Sequence, residues 1–225
     1  MPTRKELLKR VTLFEALNDE EFDALSDVAL SMVFPENRVV IKAEDEGDTL
    51  FVISGGQVKV SIVSKDGREV ILSILAEGDF FGEMSLLDGH PRSANVTTMR
   101  ETDLLMVRRA DFLRLVMNTP QIAIKLLSVL AGRLRKTDRK IEGLALLDVT
   151  GRITQTLLQL AEDQGVPYPE GVLIRNRPTH QNLAKMSGTT RETVSRVLKR
   201  LENQGYIVHK NKDLLIVGLD RDQPH

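Results

Sequence analysis

No cysteine occurs among the 225 residues, so disulfides, thiolate catalysis, zinc ribbons and cysteine-ligated iron–sulfur clusters are excluded. Histidine is scarce. His90, His180, His209 and His225 are scattered without metal-ligand spacing, and no serine, histidine and aspartate constellation can be assembled around them, which points away from an enzyme and from a metal site. No apolar run approaches membrane-spanning length. The start, Met1 to Glu6, leads into an amphipathic helix rather than an apolar signal core, and predicts a cytoplasmic protein with no membrane partner. Neither charge is in excess either, with 31 basic against 32 acidic residues. That balance hides a split. Val149 onward carries 11 basic and 8 acidic residues, and Arg175 to Lys212 carries nine basic residues opposed only by Glu192 and Glu202. Such a local basic face suits nucleic acid, although a short solvated lysine-rich surface has the same composition.

What is present is enough for two modest domains, since 41% of the residues are apolar. Short helical patterns hold Leu7, Leu8 and Val11, then Asn18 as an N-cap before Phe22, Leu25 and Val28, ending near Leu30. From Val33 the period changes to two. Val39 and Ile41; Leu50, Val52 and Ile53; Val58, Val60 and Ile62; and Val70, Leu72 and Ile74 alternate or nearly so between turn signals such as Gly55-Gly56 and Lys65-Asp66-Gly67. Two further strands are predicted at 94–98 and 104–107. Strands this short at this spacing predict an antiparallel sandwich or barrel.

A long helix follows from Pro120 to Asp148. Ala123, Leu127, Leu130, Leu134, Thr137, Ile141 and Leu144 recur at alternating spacings of four and three, the a/d seam of a coiled coil, which predicts a homodimer. Thr137 is the polar member of that seam, with Asp138 beside it. Either it fixes register, or it meets a ligand. Asp148 is placed to cap a new helix from Val149 to about Glu162; a loop at 167–171 and a strand at 172–174 come next. Then Thr179 to Ser187, Gly188, and Thr189 to Gln204 read as helix, tight turn, helix. In the second helix Val194, Val197, Leu198 and Leu201 form the buried stripe, leaving Arg191, Glu192, Ser195, Arg196 and Lys199 opposite. Strands at 206–209 and 214–217 close a hairpin wing.

Between the strands, Gly82 opens a short helical turn carrying Glu83 and Met84, and the chain re-enters the sheet through Arg92 and Ser93. Amides freed at a helix start, together with a guanidinium, suit a phosphate, and a carboxylate there suits a sugar hydroxyl. An Arg92–Glu83 salt bridge is the plain alternative. In the second helix of the C-terminal pair, arginines one turn apart suit guanine O6 and N7 in the major groove, and Glu192 suits cytosine N4. If Thr189 were the cap, however, Glu192 would serve a capping box instead.

Gly82-Glu83 and Arg92-Ser93-Ala94 in a β-rich frame resemble the phosphate-binding cassette of cyclic-nucleotide-binding domains. Over nearly its whole length, including Leu144 to Arg152 at the interdomain hinge, the chain is similar to the CRP/FNR family of bacterial regulators. The resemblance implies an α+β fold: a double-stranded β-helix (jelly-roll) cyclic-nucleotide-binding domain at 1–119, a dimerisation helix and hinge at 120–148, and a winged helix-turn-helix domain at 149–225. It implies nucleotide contacts by Gly82, Glu83, Met84, Arg92, Ser93, Thr137 and Asp138, with Thr137 meeting the purine. Cyclic AMP is the expected effector. Asp138 departs from the serine that cyclic AMP receptors of the family carry, and because a carboxylate only accepts, it also suits guanine, which makes cyclic GMP the runner-up. The run from Arg191 to Arg196 is similar to the family's recognition helix with its cap at Thr190. This implies base contacts by Arg191, Glu192 and Arg196, phosphate contacts by Thr179, Gln181 and Lys199, and a TGTGA-type half-site on double-stranded DNA. Family members also meet RNA polymerase. Two other readings are a nucleotide-independent regulator and a nucleotide-sensing module acting on protein partners; the latter leaves the Arg191 to Lys199 face idle.

Overall fold

A computed structural model describes residues 3–219 and divides into two compact units, Met1–Leu134 and Arg135–His225. His225 lies outside the described residues. In the first unit, α1 (Arg4–Leu8) and a 3-10 turn at Thr12–Phe14 lead to α2 (Asp19–Val28). Asn18 caps α2 as its sequence predicts: its side chain accepts from Glu21 N, and the Glu21 carboxylate accepts from Asn18 N, each at 2.9 Å.

The chain then forms β1 (Leu30–Phe34), β2 (Val39–Ile41), β3 (Thr49–Gly55), β4 (Gln57–Val63), β5 (Glu69–Ala76), β6 (Phe80–Phe81), α3 (Glu83–Asp88), β7 (Asn95–Thr98), β8 (Thr102–Arg108), α4 (Arg109–Asn118) and α5 (Pro120–Leu146). The strands build two antiparallel four-stranded sheets, ordered β1-β8-β3-β6 and β2-β7-β4-β5. Strand β3 shows how alternation builds two cores at once. Its Phe51 and Ile53 join Ile41, Val58, Val96 and Leu104 between the sheets, whereas Leu50 and Val52 turn to the helical layer with Phe14, Phe112, Ile122 and Leu126. Each side chain buried this way contributes about 1.5–3 kcal/mol. The Phe51 ring stacks on Phe81 with centroids 5.1 Å apart, which fixes β6 and so the start of α3.

Strand β1 begins at Leu30, three residues before the predicted change of period. Four of its five residues are exposed, so it carries no burial alternation to announce itself. The long helix is more two-sided than its seam suggests. Ile122, Leu126, Val129 and Leu130 pack on the first unit, while Leu127, Leu134, Ile141 and Leu144 on the seam are each 60–65% exposed.

In the second unit, α6 (Val149–Gln164) starts at the predicted cap, Asp148 Oδ1 accepting from Gly151 N at 2.7 Å. It is followed by β9 (Gly165–Tyr168), β10 (Gly171–Ile174), α7 (His180–Ser187), α8 (Arg191–Asn203), β11 (Ile207–Lys210) and β12 (Asp213–Val217). The sheet runs β11-β12-β10-β9. Strand β9 corrects the predicted loop at 167–171: Pro167 pairs opposite Val172 on the outer edge, where a residue with no N–H to donate is tolerated. The core gathers Ile153, Leu157, Leu183, Val194, Leu198 and Leu214, so the predicted stripe of α8 is the buried one.

Candidate functional site

Two surfaces carry the predicted chemistry, one in each unit. In the first, Gly82 takes the left-handed conformation (φ 85°, ψ 7°) that ends β6 and starts α3, and Gly89 takes the same conformation at the other end. Arg92 is only 7% exposed and lies against the turn. Its Nη1 donates to Gly82 O at 2.8 Å and Ser85 Oγ at 2.9 Å, its Nη2 donates to Thr49 O at 2.8 Å, and the guanidinium sits 6.0 Å from the Phe51 ring centroid. Two glycines make the room. A Cβ on Gly47 would lie 1.9 Å from Arg92 Nε, and one on Gly82 would lie 2.6 Å from Arg92 Nη1. Burial draws the Arg92 guanidinium below its ordinary value, opposed by Asp48 and Glu83.

Glu83 is 4% exposed, and its ion pair comes from α5. Arg133 Nη1 meets Glu83 Oε1 at 2.6 Å, Arg133 Nη2 donates to Phe80 O at 2.5 Å, and the guanidinium lies 4.9 Å from the Phe80 ring centroid. The carboxylate's partner is therefore Arg133, at a separation in sequence that no local pattern reveals. Sequence reasoning missed this residue. The available signal was a second stripe on α5, Ile122, Leu126 and Val129, whose next member at the same spacing is Arg133. At the outer side of the turn, Ser93 and Met84 are exposed and neighbouring, with Ser93 Oγ 3.6 Å from Met84 Sδ. The structure thus brings Gly82, Glu83, Met84, Arg92 and Ser93 onto one turn. Thr137 and Asp138 are exposed positions of α5 in the second unit.

In the second unit, Thr179 caps α7, accepting from Asn182 N at 3.2 Å. Gly188, left-handed at φ 62°, turns the chain, and Thr190 caps α8, accepting from Thr193 N at 3.3 Å. The cap is Thr190, so the alternative capping box from Thr189 does not form. Glu192 still attends to the helix start: hydrogen bonds from its own backbone N–H and from the Thr190 hydroxyl hold its carboxyl below the usual range. Arg191, Glu192, Arg196 and Lys199 are exposed on α8, as are Thr179 and Gln181 at the start of α7. Arg196 Nη2 reaches Thr193 Oγ1 at 3.3 Å, and Lys199 Nζ reaches Glu202 Oε2 at 3.3 Å. Ser195 differs from these. It is half-buried, with its Oγ 2.8 Å from His180 Nδ1. Arg152 from α6 donates to Ser187 O at 3.1 Å, and Arg200 Nη2 to Thr150 Oγ1 at 2.9 Å, bracing the helix pair from behind.

Residues 31–119 match the cyclic nucleotide-binding domain family, and residues 151–223 match the Crp-like helix-turn-helix domain family. The chain is 38% identical to the cAMP-activated global transcriptional regulator CRP of Pasteurella multocida, covering 82% of this chain and 88% of that one. The chain belongs to the CRP/FNR family. A second CRP/FNR relative, the CRP-like cAMP-activated global transcriptional regulator of Mycobacterium tuberculosis, is 32% identical over 96% of both chains. Among solved structures, the c-di-GMP-responsive global regulator CLP of Xanthomonas campestris superposes with a TM-score of 0.74 at 27% identity, covering 89% of this chain and all of that one. As a CRP/FNR member, the chain is a cyclic-nucleotide-binding, DNA-binding transcription regulator with the α+β architecture expected from its sequence. No single helix among the described residues is long and apolar enough to cross a membrane.

Proposed function

We propose that the protein is a cytoplasmic homodimeric regulator that binds cyclic AMP in the Gly82–Ser93 turn and, in that state, binds a TGTGA-type palindrome. The observation that carries this reading is the pairing of a buried guanidinium and a buried carboxylate on one turn: Arg92 lies against Gly82, and Glu83 is held by Arg133. Arg92 and Ser93 take the cyclic phosphate, with Arg92 exchanging neutral carbonyl partners for a charged oxygen, the stronger acceptor. Glu83 accepts from the ribose hydroxyl, and Gly82 and Met84 line the turn. Because Arg133 belongs to α5, a change at Glu83 is felt by that helix. Thr137 and Asp138 take the purine, on the strength of the family resemblance. The exposed seam of α5 supplies the dimer contact.

In DNA recognition, Arg191, Glu192, Ser195 and Arg196 face base edges, while Thr179, Gln181 and Lys199 take phosphates. RNA polymerase is the protein partner that the family resemblance suggests. Ligand control requires that nucleotide bind one arrangement of the dimer better than the other. Fluorescence anisotropy of a TGTGA palindrome, titrated with and without each cyclic mononucleotide at matched salt, tests the reading. Tightening with cyclic AMP supports it; identical affinity with and without nucleotide favours an unliganded regulator. Asp138 keeps a second reading in view. Its carboxylate can accept from both the ring N–H and the amine of guanine, so a tenfold or greater preference for cyclic GMP, or a response to cyclic di-GMP, would reassign the effector.

A further inference from the structure

His180 opens α7, Ser195 stands in the second turn of α8, and their side chains meet across the turn between the helices, Nδ1 to Oγ at 2.8 Å. Ser195 is four residues beyond Arg191, three beyond Glu192 and four before Lys199. It therefore shares a face of α8 with those exposed side chains, although it is itself half-buried. Basic groups act on the ring from three sides. Arg177 approaches from the loop before α7, His209 from β11 and Arg191 from α8, and with partial burial they hold His180 below the ordinary histidine range. Arg177 is itself lowered by burial, and its buried Nε has no hydrogen-bond partner.

A serine hydroxyl has one proton and two lone pairs. A neutral imidazole can accept at Nδ1, whereas the protonated ring can only donate there. The bond between these two side chains therefore has two polarities. We propose that His180 sets the hydrogen-bond polarity that Ser195 presents to DNA, so that the base preference of the recognition helix changes with the protonation of one ring. When the ring is neutral, Ser195 donates to Nδ1 and turns lone pairs outward, matching edges that donate: adenine N6 and cytosine N4. When it is protonated, Nδ1–H donates to Ser195 and the hydroxyl proton turns outward, matching edges that accept: guanine O6 and N7, and thymine O4. Phosphates near the ring offset its basic neighbours, so the ring protonates at higher pH in the DNA complex than in the free protein. The inference rests on α8 being the recognition helix.

The test uses the full-length protein with saturating cyclic AMP and a set of palindromic duplexes, each altered symmetrically at one base pair. Pairs of duplexes compete in fluorescence anisotropy at about pH 5.5 and about pH 8, at fixed salt. Because the readout is a ratio between duplexes, a general loss of affinity cancels. The wild type should shift by about fivefold at one position, from adenine or cytosine toward guanine or thymine on acidification. Ser195→Ala and His180→Phe should both lose the shift. A wild-type ratio that is the same at both pH values, or a shift that survives in Ser195→Ala, overturns the proposal. Nitrogen-15 spectra of the wild-type ring give a reading that needs no variant: Nδ1 should be unprotonated in the neutral ring, and a protonated Nδ1 there overturns the proposal. If no duplex is distinguished from any other at either pH, the recognition-helix reading itself fails, an outcome distinct from a stable preference that ignores pH.

Discussion

The chain sets an arginine and a glutamate beside a helix start twice, and the two settings work differently. At α3, Glu83 and Arg92 are 4% and 7% exposed, and both are already bonded to the protein. At α8, Arg191 and Glu192 are exposed and stand beyond the Thr190 cap. A small ligand brings few contacts, so its site has to be organised before the ligand arrives, with the cost of ordering met during folding. A DNA duplex supplies its own field and excludes water over a broad face, so side chains on its reader can remain solvated until contact. Under the proposed function, the same residue types therefore serve a small ligand in one unit and a DNA duplex in the other.

The largest expected effect tests the buried setting. Arg133→Met leaves the Glu83 carboxylate without its cation and should destabilise the protein by roughly 3 kcal/mol in urea unfolding. Adding Glu83→Gln should recover much of that loss, and strictly additive single and double variants would break the comparison. The exposed setting should behave in the opposite way. Arg191→Ala should leave unfolding almost unchanged while weakening binding to the palindrome by about 1–3 kcal/mol, chiefly through lost preference at one base pair. Uniform weakening across all duplexes would mark Arg191 as a phosphate contact. A smaller effect belongs to the cap: Thr190→Ala removes the acceptor for Thr193 N and should cost about 1 kcal/mol of stability, measurable by thermal melting. The smallest concerns Glu192. Its carboxyl is depressed below the ordinary value of 4.5, so whatever it contributes is present above that pH and lost only as the pH falls through the lower folded value. Glu192→Gln should therefore match the wild-type melt in strong acid and differ slightly at neutral pH; a difference largest in acid would reverse the assignment.

Much of this arrangement could be read from residues close together in sequence. Period-two runs marked most strands of the first unit, Asn18 and Asp148 marked helix starts, and Val194, Val197 and Leu198 marked the inner side of α8, because each signal depends on neighbours within one or two turns; the cap at Thr190 came from the family resemblance, since the local pattern also offered Thr189. Gly82, Glu83, Met84, Arg92 and Ser93, close together in sequence, meet on one turn for the same reason. Failures came where a distant partner decides the outcome. Strand β9 looked like a loop because Pro167 argues against a strand, yet the position is an edge where nothing asks Pro167 for an N–H. The plain alternative for Glu83, a salt bridge to Arg92 nine residues on, does not form, and its carboxylate takes Arg133 fifty residues away, a partner that sequence reasoning did not name. Ser195 looked like one of the free polar residues of α8, and only the folded turn brings His180 to it. On α5 two apolar stripes overlap in sequence, and the seam at 123–144 masked the stripe that packs on the first unit.

The close approach of Gly47 to Arg92 has a consequence for sorting genomes. Since a methyl group at that position would overlap the guanidinium, the two sites should change together during divergence. Under the proposed function, a descendant that carries a bulkier residue at 47 should also have surrendered the arginine, and with it the grip on a phosphate ester. That pair of columns would then separate nucleotide-responsive lineages from those answering to other signals before a single protein is purified.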